Sequence, residues 1–273
     1  MQILIPSSRL IASPSPTGLP GILALVSLIF VSFGAPHASA ADVVVEERTA
    51  SGFTGIVLSG SGDLRITQGD SESLTVTAEQ KVLDVITTEV RGGVLHIGRK
   101  RGSSVRTREE IRFDVTLRVL ERLGMSGSGD AYAHRLEGDK LKVTISGSSD
   151  VEFGEVLMDD LRITISGSGD VELTELDANS FEASITGSGE IEVGGRSDVQ
   201  TVSVSGSGDH MAENLESRQV NATVVGSGQI EVWATETLDV TVTGSGDVVY
   251  RGKPEVSLKV SGSGNVKAKN GVF

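Results

Sequence analysis

Leu161-Arg162-Ile163-Thr164-Ile165-Ser166-Gly167-Ser168-Gly169-Asp170-Val171-Glu172-Leu173 decides how this chain folds. Ahead of the glycines, Leu161, Ile163 and Ile165 alternate with Arg162 and Thr164; beyond them, Val171 and Leu173 resume the alternation. A period of two puts the apolar side chains on one face of a strand and the polar ones on the other. The Gly-Ser-Gly-Asp between the two runs reads as a tight corner, because Gly supplies positive φ or close chain approach without a Cβ clash.

The tetrapeptide recurs along the chain, with Ser149 in place of one glycine and Glu190, Gln229 or Asn265 in place of the aspartate. It starts at Gly60, Gly127, Gly147, Gly167, Gly187, Gly206, Gly226, Gly244 and Gly262, and from Gly127 onward the starts are 20, 20, 20, 19, 20, 18 and 18 residues apart. Each corner is preceded by a run such as Leu141, Val143, Ile145 and followed by one such as Val151, Phe153. A unit of this length cannot bury its own apolar face, so neighbouring units must stack and share a core. A parallel solenoid and an antiparallel meander both fit the corners. The return segments Glu155–Asp160 and Glu175–Ser180 keep similar length and an internal Leu, which suits a repeated coil edge and favours the solenoid. Ser149 replaces the second glycine of its corner, which should be the least typical one.

Composition agrees with this reading. The 273 residues hold 34 glycines and only 4% aromatics, and the apolar content rests on Val, Ile and Leu, which suit pleated surfaces. A formal charge of -13 argues against a nucleic-acid partner, which needs excess Lys and Arg. Absence of cysteine excludes disulfides, thiolate ligands and thiol nucleophiles.

Residues 1–40 differ from the rest: Arg9, then an apolar run from about Gly21 to Phe33, then Ala38-Ser39-Ala40. This is the layout of a secretory signal cleaved between Ala40 and Ala41, since the apolar run falls short of the roughly 20 residues a membrane span requires. No second spanning segment follows, so the mature chain is expected in the periplasm or at the cell surface of a bacterium. Leu64–Gly124 lacks the corner but contains strand-like Leu74–Ala78, Val94–Ile97 and Ile111–Leu117, a hairpin turn at Arg91-Gly92-Gly93 and a basic loop from Arg99 to Arg108. The expected organisation is a signal peptide over 1–40, an N-terminal β region with the first corner and a cap over 41–126, and solenoid repeats over 127–273. The fold class is all-β: a right-handed β-helix-like solenoid of about 20-residue coils with an N-terminal β-rich capping region, because an open end would expose pairing edges.

Phe53-Thr54-Gly55-Ile56-Val57-Leu58-Ser59-Gly60-Ser61-Gly62-Asp63-Leu64, Ile66-Thr67-Gln68-Gly69, Thr88-Glu89-Val90 ahead of Gly92-Gly93-Val94-Leu95, and the later corner array together resemble the bacterial exported family called putative auto-transporter adhesin head domains. The resemblance spans about Val44 to Lys267. It implies a β-helix-like fold, an envelope setting and, by the family's name, an adhesin role. No series of alternating membrane strands follows Phe273, so tethering through a barrel of the chain's own is not expected.

The residue after each Gly-Ser-Gly is the sharpest chemical candidate. Asp130, Asp150, Asp170, Glu190, Asp209 and Asp247 would form a column of carboxylates one strand spacing apart. Such a column could hold divalent cations, or each Asp could cap its own turn through backbone N–H groups. Gln229 and Asn265 keep the acceptor and drop the charge, which favours capping, so no metal or cofactor is expected. The mature chain's His96, His134 and His210 lack metal-ligand spacing. The pairs Asp159-Asp160 and Glu109-Glu110 suit charged turns better than paired catalytic carboxylates, since adjacent strand residues point to opposite faces. Thr144, Thr164, Ser184, Ser203, Thr223 and Thr241 would form an outward hydroxyl ladder, and Trp233 either a sugar-stacking platform or a coil corner. The expectation is a non-enzymic binding or structural module of the envelope, contacting an unidentified envelope protein or glycan; the alternative is a polysaccharide-active β-helix enzyme.

Overall fold

The computed structural model describes residues 43–269; the signal and its cleavage point at Ala40 and Ala41 lie outside them. Strands are set by the alternating runs, and the corners by the glycines. The N-terminal part contains β1 (Val43–Arg48), β2 (Gly55–Gly60), β3 (Asp63–Gln68), β4 (Ser73–Glu79), a one-turn helix α1 (Gln80–Leu83), β5 (Ile86–Arg91), β6 (Val94–Arg99), β7 (Arg112–Leu117) and β8 (Arg122–Gly127). The repeats follow as β9 (Ala131–Gly147), β10 (Val151–Gly167), β11 (Val171–Gly187), β12 (Glu190–Gly206), β13 (Asp209–Gly226) and β14 (Gln229–Gly244). The last coil is split into β15 (Asp247–Arg251) and β16 (Glu255–Gly262), with β17 (Val266–Ala268) beyond it.

From β9 to β14 every strand pairs with the next in parallel, corner over corner: Gly147 on Gly167 on Gly187 on Gly206 on Gly226 on Gly244. This is a β-solenoid, as the return segments predict. Within β10 the alternation of buried and exposed residues loses phase at Gly154-Glu155 and again at Asp159-Asp160. The pairing with β9 is interrupted at the same two places. Each coil therefore bends twice besides the glycine corner and has three faces, whose inward residues in β10 are Val151 and Phe153, then Val156 and Met158, then Leu161, Ile163 and Ile165.

The corner Gly60 lies directly beneath Gly127, although the intervening chain makes a long excursion. Coil β2–β3 is paired in parallel on one side with β8 and β9, and on the other with β6 and β7. Antiparallel β5 and β4 then flank β6 and β7, and β1 flanks β4. The parallel stack thus ends in antiparallel strands, the capping expected from the sequence. The β5–β6 hairpin turns at Gly92 and Gly93, both with positive φ, as a two-residue primed turn requires. One continuous core of Val, Ile, Leu, Ala and four buried Phe rings (Phe53, Phe113, Phe153, Phe181) runs through cap and repeats.

Two different reasons underlie the two glycines of a corner. Gly167 has φ 140, and a Cβ there would stand 2.3 Å from the carbonyl oxygen of Gly147 in the coil below. Gly169 has no positive φ, but its Cβ would stand 2.2 Å from the Ser149 carbonyl oxygen. At Gly169 the demand is close approach without positive φ, and in the corner below Ser149 takes the same place. Ser149 is buried and its hydroxyl has no hydrogen-bond partner. Ser149→Gly should raise the thermal midpoint: relief of an unsatisfied buried hydroxyl is worth about 1–3 kcal/mol, against roughly 0.5–1 kcal/mol for added backbone freedom. A midpoint that stays level or falls in a melting experiment would show that the corner has adapted to the side chain.

Candidate functional site

The carboxylate column forms as the spacing predicts, but its hydrogen bonds run between coils and not within a turn. Asp130 Oδ1 accepts from the backbone N–H of Asp150 at 3.2 Å, Asp150 from that of Asp170 at 3.0 Å, and Asp170 from that of Glu190 at 2.8 Å. Asp209 accepts from Gln229 N–H at 2.9 Å and Asp247 from Asn265 N–H at 2.8 Å. Each aspartate thereby ties its own corner to the one above. The physical reason is that a short side chain one strand spacing below can reach an N–H that its own turn cannot present to it.

Glu190 and Gln229, one methylene longer, make no such bond. Above them the N–H of Asp209 goes to the Gly189 carbonyl at 3.1 Å and that of Asp247 to the Gly228 carbonyl at 3.2 Å. The electrostatics follow this difference. Burial, and then the neighbouring carboxylates Asp170, Asp209 and Glu192, hold Glu190 above the usual carboxylate range. Asp247, bonded by the side-chain amide and backbone N–H of Asn265, is held below it. Among the described residues, no group of three or more His, Cys, Asp or Glu side chains is placed to hold a metal ion.

The other expected residues fall as follows. Thr144, Thr164, Ser184, Ser203, Thr223 and Thr241 stand in register as one half-buried column on the third face. Asp159-Asp160 is an exposed bend, where Asp159 accepts from the Asn179 amide at 2.9 Å. Glu109-Glu110 lies exposed in the loop before β7. The second face carries an open groove of about 730 Å³ lined by Glu155, Glu175, Asp177, Arg196, Arg218 and Trp233, among others. Arg196 pairs with Asp177, Nε to Oδ1 at 2.9 Å, and holds that carboxylate below its ordinary range. Arg218 pairs with Glu236 at 2.9 Å. Trp233 borders the groove, and the Arg251 guanidinium stacks 4.0 Å from its ring centre. One ring face is thus already engaged by a cation, a common arrangement for Arg and Trp.

Sequence reasoning passed over one cluster altogether. His210, Gln200 and Ser217 are buried inside the solenoid, at positions where neighbouring coils carry Ile191 and Ile230, Phe181 and Val220, and Ser197 and Ala234. Gln200 Nε2 donates to His210 Nε2 at 2.9 Å, and Ser217 Oγ donates to Gln200 Oε1 at 3.2 Å. His210 Nδ1 has no partner. The available signal was positional: in the aligned repeats, His210 and Gln200 stand in columns that are otherwise apolar.

These features define a class: a β-solenoid whose side walls carry ordered polar arrays on rigid strands. The chain belongs to the family described as putative auto-transporter adhesin, head GIN domain, which matches residues 52–174 and 153–254. It is similar to the crystal structure of a protein called a putative lipid binding protein from Parabacteroides distasonis, with 28% identity, coverage of 84% of this chain and 97% of that one, and a TM-score of 0.80. A putative adhesin from the same organism is 27% identical over 84% and 98% of the two chains, with a TM-score of 0.81. One from Parabacteroides merdae is 26% identical over 84% and 96%, with a TM-score of 0.81. Among curated proteins, none matches.

Two predictions follow from the column and the buried cluster. Asp170→Ala removes the acceptor for Glu190 N–H and should lower stability by about 1 kcal/mol; Asp170→Asn keeps the acceptor and should not, whereas Asp170→Glu should behave like Ala. Equal urea midpoints for the Ala and Asn variants would refute the inter-coil role. For His210, burial pushes the imidazole down to about 3 from 6.5. Above pH 6.5 the ring is neutral in both states. Below it the unfolded chain takes up a proton that the folded chain refuses until about pH 3, so stability falls as pH drops through that window. The triple variant His210→Ile, Gln200→Val, Ser217→Ala should remove about 1.4 kcal/mol per pH unit from the acid-side slope, read from denaturant titrations between pH 6 and pH 4; an unaltered slope would contradict the assignment.

Proposed function

We propose that this chain is an exported, non-catalytic binding module of the bacterial cell envelope that contacts a protein or glycan through the side walls of its solenoid. The observation that carries the reading is the second-face groove. There Asp177, Arg196, Arg218 and Trp233, projecting from successive coils, set charges of both signs and an aromatic ring along one wall. Strands hold them at fixed spacing, which suits repeated contacts with an extended partner better than bond-making at a point. Membership of the adhesin head family supports the same role. The column carboxylates Asp130, Asp150 and Asp170 are occupied in tying coils together, which weighs against paired acid–base work by them.

Export is supported by the secretory layout of residues 1–40 and by the family's setting; no helix among the described residues is long and apolar enough to cross a membrane. Purified protein incubated with peptidoglycan and with capsular or plant polysaccharides should leave them unchanged while retaining an envelope component in a pull-down. Arg196→Ala combined with Arg218→Ala should reduce that retention. New reducing ends or unsaturated products would overturn the proposal in favour of a polysaccharide-active enzyme.

A further inference from the structure

The last coil ends in an edge that no described strand covers. β16 pairs in parallel with β14 on one side only, and β17 continues over β15 and not over β16. In the register with β14, Leu258 and Val260 stand over Val240 and Val242, which are fully buried. They occupy core columns, yet Leu258 is 54% and Val260 45% exposed. Ser263 N–H donates down to the Gly244 carbonyl. By the alternation of a parallel ladder, residues 255, 257, 259 and 261 therefore direct their backbone groups toward β14, and Val256, Leu258 and Val260 direct theirs outward.

An edge of this kind is a template for another strand, and the sequence of β16 specifies which. If a second copy of Glu255-Val256-Ser257-Leu258-Lys259 is laid antiparallel with Ser257 opposite Ser257, then Glu255 meets Lys259 of the other copy, and Lys259 meets its Glu255. In the same register Val256 lies opposite Leu258, and these are the residues whose N–H and C=O groups point outward. The hydrogen-bonded pairs are thus the apolar ones, and the ion pairs fall at non-hydrogen-bonded sites, where side chains approach most closely. Among the described residues neither Glu255 nor Lys259 has an ion-pair partner within its own chain. Both lie on the outer face, so each charge stays in water while the apolar columns of the two solenoids join.

We infer that the β16 edge is a two-fold self-association surface, on which two copies of this chain meet end to end through antiparallel β16 strands. Such an interface is isologous and closes at two copies. It leaves the groove of the second face and the hydroxyl column of the third face uncovered along both solenoids, and it stands whether or not those faces bind a protein or glycan.

Sedimentation equilibrium of the purified protein over a wide range of concentration tests this. The expected result is a reversible monomer–dimer equilibrium. Lys259→Glu opposes two carboxylates at both ends of the register and should weaken the dimer about tenfold. The swap Glu255→Lys with Lys259→Glu restores opposite charges and should restore the dimer. Circular dichroism of each variant separates loss of association from loss of fold, and the swap remains decisive if the single variant folds poorly. A monomer at every concentration would overturn the proposal. So would a Lys259→Glu dimer as strong as the original, a charge swap that fails to reassociate, or growth beyond two copies, which would mean head-to-tail joining to the β1 end.

Discussion

From Gly127 onward, a carbonyl oxygen one strand spacing below each corner leaves no volume for a side chain above it. At Gly147, Gly167 and Gly187 a Cβ would stand 2.2–2.4 Å from the oxygen of the glycine beneath, well inside any van der Waals contact. That same oxygen receives the N–H of the following serine at 2.9 Å, as from Ser148 to Gly127 and from Ser168 to Gly147. Exclusion of the side chain and formation of the bond are one geometric fact. Because the corners can stack only this closely, the three faces of each coil are brought into register with those of the next. The inward Val, Ile and Leu columns then meet at strand spacing and exclude water along the whole length.

The aspartate column is a second consequence of that spacing. Carboxylates one strand apart repel, yet each negative oxygen lies where the next coil offers an N–H, and the charge-assisted bond offsets the repulsion. Glu190 shows what happens without the bond: it is held above the normal range by burial and by its acidic neighbours. The column's discrimination between Asp and Glu therefore comes from side-chain length and not from charge.

Most of the fold was legible because a repeat writes the same instruction many times. Leu161, Ile163 and Ile165 name an inward face, Gly167 names the corner, the near-constant spacing names stacking, and the similar return segments name it as parallel. The site was less legible. The sequence shows that Asp170 follows a corner but not that its partner is the N–H of Glu190, since the partner's identity depends on which coil lies above. The stacking of Gly60 beneath Gly127 was hidden for a similar reason: the excursion through β4 to β7 inserts strands that pair partly in parallel and partly antiparallel and follow no repeat. His210 was weighed only as a metal ligand and Gln200 not at all, because a polar residue in one coil carries no periodic signal, and only the columns around it mark the position as interior.

The tie made by each aspartate is absent above Glu190 and above Gln229, so the column is divided into stretches of bonded corners separated by two plainer seams. A rod built this way does not resist tension evenly. At each seam a neutral bond to a backbone carbonyl stands where a charge-assisted one stands elsewhere, so tension along the axis should open these two seams first. Graded yielding of this kind would absorb work in steps, with the rungs on either side of each seam intact and ready to close again.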